Sequence, residues 1–489
     1  MTTATVPLSP GPHPGPGLRE SAVSDPAITL SWDELAGEIR QAQRTGLCAH
    51  PIRLKGRIDA IDLATGELRS MYDTAAEPGG VLQVACGNRR ESACPACSAV
   101  YKRDARQLVR AGLTGGKGIP ETVASHPCVF ATFTAPSFGP VHSRRQRGRT
   151  VLPCRPRRDA SRRACPHGRD ISCPRRHTEG DPLLGRALCP DCHDYTAAVL
   201  FNAHAGDLWK RFLTYLPRHL ARHAGLTQRQ LRRQAAVRFV KVAEAQARGV
   251  IHYHAVIRLD APGDTYQPPG PGFTTTLLDQ AIRTAAAAVR YPVGPDTDHP
   301  NAPSLTLRFG PQIDVRPIRR NDDSQLPATG RELPPHAVGN YIAKYATKDI
   351  EIPRLPPGRI TTRHDLDALR CPAHYQKMIT TAWQLGGGQL TPGKRPSRLC
   401  RWAHQLGHGG HFLSKSQRYS VTFTQLRRAR TDHRKQQRHP QGQHDPWGRP
   451  LDETVVLVLS TWTYDGPAHT ITPAAELALT SADRARAHD

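Results

Sequence analysis

Two tyrosines and two lysines share one short stretch, Tyr341-Ile342-Ala343-Lys344-Tyr345-Ala346-Thr347-Lys348. The members of each pair stand four residues apart, and helical residues at i and i+4 lie above one another on one face. Both phenols then look the same way, with two ammonium groups beside them. That set suits a phosphodiester, because a phenolate can attack phosphorus while lysines lower its pKa and offset phosphate charge. Core packing with a solvated lysine edge is the bland reading of such a stripe. Tyr345 lies between Lys344 and Lys348, sees more positive charge than Tyr341, and is the expected first nucleophile.

A second set sits upstream, in Gly249-Val250-Ile251-His252-Tyr253-His254-Ala255-Val256-Ile257. Alternation along a strand puts His252 and His254 on one face and Tyr253 on the other. With 24 histidines in 489 residues, about one His-x-His is expected by chance, so context decides. The flanks are apolar and β-branched, as in an interior strand. A hairpin centred on Arg248 would put Glu244 opposite His252, facing the same side of the sheet. Glu244, His252 and His254 would then suit Mg²⁺ or Mn²⁺, with positions left open for phosphate oxygens. A one-residue slip would turn Glu244 away and leave Gln246 as its substitute.

Twelve cysteines accompany no apolar leader, which points to metal ligands and buried thiols in a reducing cytoplasm. Cys48, Cys86, Cys94 and Cys97 form one candidate zinc group, and Cys165, Cys173, Cys189 and Cys192 a second, with Cys154 and His167 in reserve. Each contains a Cys-x-x-Cys pair, which sets two thiolates on one metal. Two closed structural zinc sites are expected.

These groups need a scaffold. Net charge is +25 and the pI about 10.1, and the basic residues are spread along the chain, which favours a polyanion partner. No apolar run is long enough to span a bilayer. Residues 1–27 are Pro- and Gly-rich and read as a disordered tail. Ser31 and Glu34 form a capping box for a helix to about Gln43. Cys128 to Thr134 reads as a buried strand ended by Pro136. Residues 142–163 are too basic to pack. Apolar spacing predicts a helix from Tyr195 up to Pro217. Strands follow at 237–243, 250–259 and within 305–318, with helices at 275–290, 336–349, 365–385 and 397–406. A further strand is expected at 418–423, before the basic run 427–438, and a last one at 454–461.

At this point the sequence resembles the HUH endonuclease superfamily of rolling-circle replication initiators, and more closely those of actinomycete plasmids and integrative elements. Phe130-Ala131-Thr132-Phe133-Thr134 is similar to the first family motif, with Phe133 where leucine is usual. His252-Tyr253-His254 resembles the metal-binding motif, and Tyr341 to Lys348 the motif of the two-tyrosine branch. The resemblance implies an antiparallel sheet flanked by helices with the metal histidines on a central strand; joined to the cysteine groups and the apolar spacing, the expected fold is α+β, with cysteine-rich zinc-binding insertions and a mostly helical C-terminal region. It places the endonuclease domain at 128–350, with an insertion at 141–193. An N-terminal region at 28–127, a helical region at 351–440 and a strand and tail at 441–489 surround it.

The function implied is site-specific, metal-dependent nicking and rejoining of origin DNA through a 5′-phosphotyrosine. The nucleophiles would be Tyr345 and Tyr341, supported by Lys344 and Lys348. Partners would be double- and single-stranded origin DNA, a host helicase and a host polymerase, in the cytoplasm and without a membrane. A conjugative relaxase shares the chemistry, but such enzymes tend to carry three histidines and an N-terminal tyrosine. A non-catalytic zinc-containing DNA-binding regulator would explain the charge and the cysteines and leave the tyrosine helix idle.

Overall fold

The computed structural model of the chain describes residues 3–7, 27–156, 164–263, 266–318, 332–348, 352, 359–388, 397–438, 445–449, 456–469 and 471–487. The fold is α+β, and the chain divides into two compact units, residues 1–105 with 422–489 and residues 106–421. The expected boundaries at 127/128 and 350/351 do not coincide with this division. Most of the expected tail, 8–26, lies outside the described residues, whereas Thr3–Pro7 pairs as a strand with Ala27–Ser31. Among the described residues no helix is long and apolar enough to cross a membrane.

The first unit joins the two ends of the chain. Ile52–Asp62 pairs antiparallel with Val456–Pro467 on one side and with Leu68–Asp73 and Leu82–Val84 on the other. The helix Trp32–Arg44 begins at the expected capping box, with the Ser31 amide donating to Glu34 Oε2 at 2.8 Å. The basic run is a helix, Phe423–Arg438. It is held by a two-pronged Arg430–Asp104 ion pair and by Phe423 stacked on Tyr101 at 4.9 Å. Residues 418–422 form no strand. The chain in this region instead enters the second unit's sheet earlier, as Leu413–Lys415.

The second unit is built on a five-stranded antiparallel sheet in the order Ile313–Pro317, Cys128–Phe133, Ile251–Asp260, Ala236–Ala245, Leu413–Lys415. Alternation divides its residues between two faces. Tyr253, Ala255, Ile257, Val129, Ala131, Phe133 and Val315 join the main apolar core with the helices Tyr195–His223 and Thr275–Ala288. Phe133 is set edge-on to Phe212 at 4.7 Å and to Trp209 at 5.4 Å. Each such fully buried large side chain contributes roughly 1.5–3 kcal/mol. The long helix does not stop at Pro217 but continues to His223. Proline removes one donor from the helix, and burial of Leu216, Leu220 and Ala221 beyond it outweighs that loss.

The opposite face of the sheet is covered in part by the helix Pro335–Thr347, packed on Ala236–Ala245. That helix buries Val338, Ile342, Ala343 and Ala346 and leaves its tyrosines half-buried at the sheet.

Candidate functional site

The turn between the two central strands fixes the site's register. Gly249 adopts φ +73°, and its amide donates to the Gln246 carbonyl at 2.8 Å. A side chain there would meet Met378 Sδ at 2.5 Å, so glycine suits both the backbone and the space. The strands then pair His252 with Glu244 and His254 with Val242. On the other side His254 pairs with Thr132.

Glu244, His252 and His254 meet as this register requires. Glu244 Oε2 is 3.0 Å from His252 Nε2 and 2.9 Å from His254 Nε2, and the two ring nitrogens are 3.0 Å apart. His254 Nε2 therefore has three polar neighbours at hydrogen-bond distance, because the Tyr341 hydroxyl is also 3.0 Å away. A ring nitrogen has one proton or one lone pair, so it cannot serve all three by hydrogen bonding. A cation shared by the three side chains would relieve the crowding. An octahedral ion with bonds of about 2.1 Å spaces the ligands of one face about 3.0 Å apart, whereas tetrahedral zinc would spread nitrogens to about 3.3 Å. The triangle's edges of 2.9 to 3.0 Å are of the size that one shared cation requires.

Neighbouring side chains orient this group and set its charge. Thr132 Oγ1 is 3.0 Å from His254 Nδ1, and a proton on Nδ1 leaves the Nε2 lone pair facing the triangle. Phe130 stacks on the same ring at 5.6 Å. Burial pushes the pKa of His254 down. Burial opposes the charge on Glu244, but hydrogen bonds from His252 and His254 outweigh it and hold the carboxyl at about 2. Thr132 is a site residue whose role the sequence reading did not see, although its motif was noted.

Tyr341 and Tyr345 sit together, with ring centroids 4.5 Å apart, and both face His254. Burial raises the pKa of both phenols, and the charge of Glu244 adds to it. A cation at Glu244 reverses that second influence. Lys348 Nζ lies 5.7 Å from the Tyr345 ring centroid, whereas Lys344 is exposed. Lys348 and Glu244 also line a cavity of about 870 Å³ with Arg186, Arg370, Tyr375 and Phe412. Its lining mixes the basic Arg186, Arg370 and Lys348 with the acidic Asp181 and Glu244 and with apolar side chains such as Leu184, Pro372 and Phe412.

The cysteines form three further groups. The Sγ atoms of Cys48, Cys86, Cys94 and Cys97 all lie within 4.8 Å of one another, with Cys48–Cys97 at 3.6 Å, Cys86–Cys97 at 3.7 Å and Cys48–Cys94 at 3.8 Å. Thiolates at about 2.3 Å from tetrahedral zinc stand about 3.8 Å apart, so this group has the expected size. The second expected quartet is not assembled. Cys165, Cys189 and Cys192 gather with His167, while Cys173 joins Cys154, His142 and His177. The reason is a pairing between separated segments: Cys173 bonds backbone to backbone with Arg155, which sets it beside Cys154. The sequence signal was present in Cys165-x-His167 and in the Cys-x-x-x-His spacing of Cys173 and His177. With 24 histidines it did not stand out.

Similarity to known proteins extends over nearly the whole chain. Residues 36–483 match the RepSA family, described as "Replication initiator protein, pSAM2". A replication initiator protein of Streptomyces ambofaciens is 43% identical over 436 residues, covering 88% of this chain and 86% of that protein. No solved structure matches.

Proposed function

The chain belongs to the RepSA family of replication initiators, and from that premise we propose that it starts plasmid replication by nicking and rejoining one strand of origin DNA. The observation that carries this reading is the triangle of Glu244, His252 and His254 with the Tyr341 hydroxyl at its edge.

Glu244, His252 and His254 hold Mg²⁺ or Mn²⁺ in this proposal. Held there, a divalent ion would supply Lewis-acid polarisation of the scissile phosphate and offset charge on the departing 3′ oxygen. Lys348 and Lys344 balance the phosphate charge. The Tyr345 oxygen attacks phosphorus, the bond from phosphorus to the 3′ oxygen breaks, and that oxygen takes up a proton. The products are a 5′-phosphotyrosine and a free 3′-OH for a host polymerase to extend, while a helicase opens the duplex ahead. Tyr341 then makes the second cut, and a 3′-OH displaces the first tyrosine to close the circle. Each step exchanges one phosphodiester for another, so no nucleotide hydrolysis is required. Cys48, Cys86, Cys94 and Cys97 hold a structural zinc, since a tetrathiolate site leaves no position for substrate.

The test is an origin strand labelled at its 3′ end and incubated with protein and Mn²⁺. A labelled covalent adduct on a denaturing gel, mapped by peptide mass to Tyr345 or Tyr341, is the expected result. Cleavage without an adduct would refute the tyrosine mechanism.

A further inference from the structure

Eight metal-ligating residues in the insertion fall into two interleaved groups. In chain order they run His142 and Cys154, then Cys165 and His167, then Cys173 and His177, then Cys189 and Cys192. The first and third pairs meet in one group and the second and fourth in the other. Two ions held in this crossed order tie the segment together twice, which a segment too basic to build an apolar core requires.

The distances fit such ions. His142 Nδ1 is 3.2 Å from His177 Nε2, which is 3.5 Å from Cys173 Sγ. His167 Nδ1 is 3.2 Å from Cys192 Sγ and 3.8 Å from Cys189 Sγ. A zinc tetrahedron places two nitrogens about 3.3 Å apart and nitrogen and sulfur about 3.6 Å apart. Supporting contacts are also in place. Asp181 Oδ2 lies 2.7 Å from His177 Nδ1, which leaves Nε2 for the group, the arrangement that orients metal-bound histidines. The Ser143 amide donates to Cys154 Sγ at 3.2 Å.

The first group also reaches the cavity beside Glu244. Asp181, which orients His177, lines that cavity with Gly180, Pro182, Leu184 and Arg186. The backbone of His142 bonds both ways to this loop: its amide donates to the Arg186 carbonyl at 2.9 Å and its carbonyl accepts from Gly185 at 2.8 Å. Gly185 packs so tightly on the turn after Glu244 that a Cβ would lie 2.0 Å from the Ala247 carbonyl oxygen.

We propose that residues 142–156 and 164–192 form a cross-braced module of two zinc ions, one on His142, Cys154, Cys173 and His177 and one on Cys165, His167, Cys189 and Cys192. The first ion fixes residues 178–186 as a wall of the cavity next to Glu244. That the wall faces DNA rests on the nicking proposal; the two ions and the bracing do not.

The test needs no DNA. Elemental analysis of the full chain, purified without chelator, should give three zinc ions, counting the one on the Cys48 group. His177→Ala and Cys192→Ser should each remove one ion, and the double variant two. A single four-cysteine site would instead give two ions in the parent protein, no loss in His177→Ala, and no further loss in the double variant; that result would overturn the module. The count in the unsubstituted protein decides the matter even if a variant fails to fold. Amide hydrogen exchange then reads the wall. Exchange at 178–188 should rise at least tenfold in His177→Ala while 251–260 stays protected. Loss of the ion with unchanged exchange at 178–188 would overturn the bracing role.

Discussion

The Tyr341 hydroxyl lies 3.0 Å from Nε2 of His254, a contact between residues 87 apart in the chain that brings the tyrosine helix onto the histidine strand. The same nitrogen faces Glu244 and His252. One lone pair thus serves either a cation or the phenol. In the nicking proposal, an ion bound to this nitrogen would take the lone pair and release the Tyr341 hydroxyl from His254.

The first expectation concerns the ligands. His252→Ala or His254→Ala should lower nicking of an origin strand by at least about a thousandfold, because the charge stabilisation at phosphorus is lost. Duplex affinity, carried by arginine and lysine contacts to phosphate, should stay within a few-fold. A gel-shift titration alongside a cleavage assay in Mn²⁺ measures both. Undiminished nicking by either variant would remove these residues from the metal site.

Thr132 gives a subtler expectation. Thr132→Val keeps the shape and removes the oxygen beside His254 Nδ1. Loss of such an orienting partner typically costs 10- to 100-fold in metal affinity, so the Mn²⁺ midpoint for cleavage should rise by roughly that factor. The rate at saturating Mn²⁺ should fall less. An unchanged midpoint would mean that packing alone orients the ring.

How much of this could be read in the sequence follows from the range of the interactions. The placing of Glu244 opposite His252 depends on a turn of few residues and on period-two alternation, both local, and so was legible. The two tyrosines lie one turn apart on one helix, which is also local. The partition of Cys173 from Cys165 depends on which backbone Cys173 pairs with, a contact between separated segments that spacing does not encode. Pairing of Ile52–Asp62 with Val456–Pro467 joins the chain's two ends, and neither strand carries a signal for the other. Continuation of the helix through Pro217 depends on what buries Leu220 and Ala221 from other elements. Long-range burial outweighed a local breaker that the sequence showed plainly.

The far end of the histidine strand offers a stability test. Arg258 and Asp260 are fully buried and joined by two bonds of 2.7 Å, with His126 Nδ1 a further 2.8 Å from Asp260. Burial opposes the charge of Asp260, but hydrogen bonds from His126 and Arg258 outweigh it and hold its pKa below the ordinary 3.8. A carboxyl depressed in the folded state stabilises it fully above the unfolded pKa, and that stability is lost as pH falls through the lower folded value. Arg258→Met should cost about 3 kcal/mol at neutral pH, because it leaves a buried carboxylate short of a partner. The variant's deficit should shrink as pH falls below about 4, where the carboxyl can protonate. Urea midpoints at several pH values measure this. A deficit that does not vary with pH would point to lost packing alone.

The tyrosine pair separates the catalytic reading from the packing one. Both rings face His254 from the same side of their helix, so each phenol can reach the same phosphate with small shifts of helix or DNA, given that attack needs about 3–3.5 Å. Phenylalanine keeps the ring and removes the hydroxyl. Tyr341→Phe and Tyr345→Phe should both fold, with melting temperatures close to the parent's, and the double variant should form no covalent adduct with origin DNA. Tyr341→Phe should still make the first cut, since Tyr345 has Lys348 beside its ring, yet fail to release a closed circle. Tyr345→Phe should lose most first-cut activity. If the pair served only to pack the helix on the sheet, both single variants and the double would be nearly silent in every assay, because the buried area hardly changes. A double variant that still carried labelled DNA on a denaturing gel would place the nucleophile on another residue and leave the contact between Tyr341 and His254 a matter of packing.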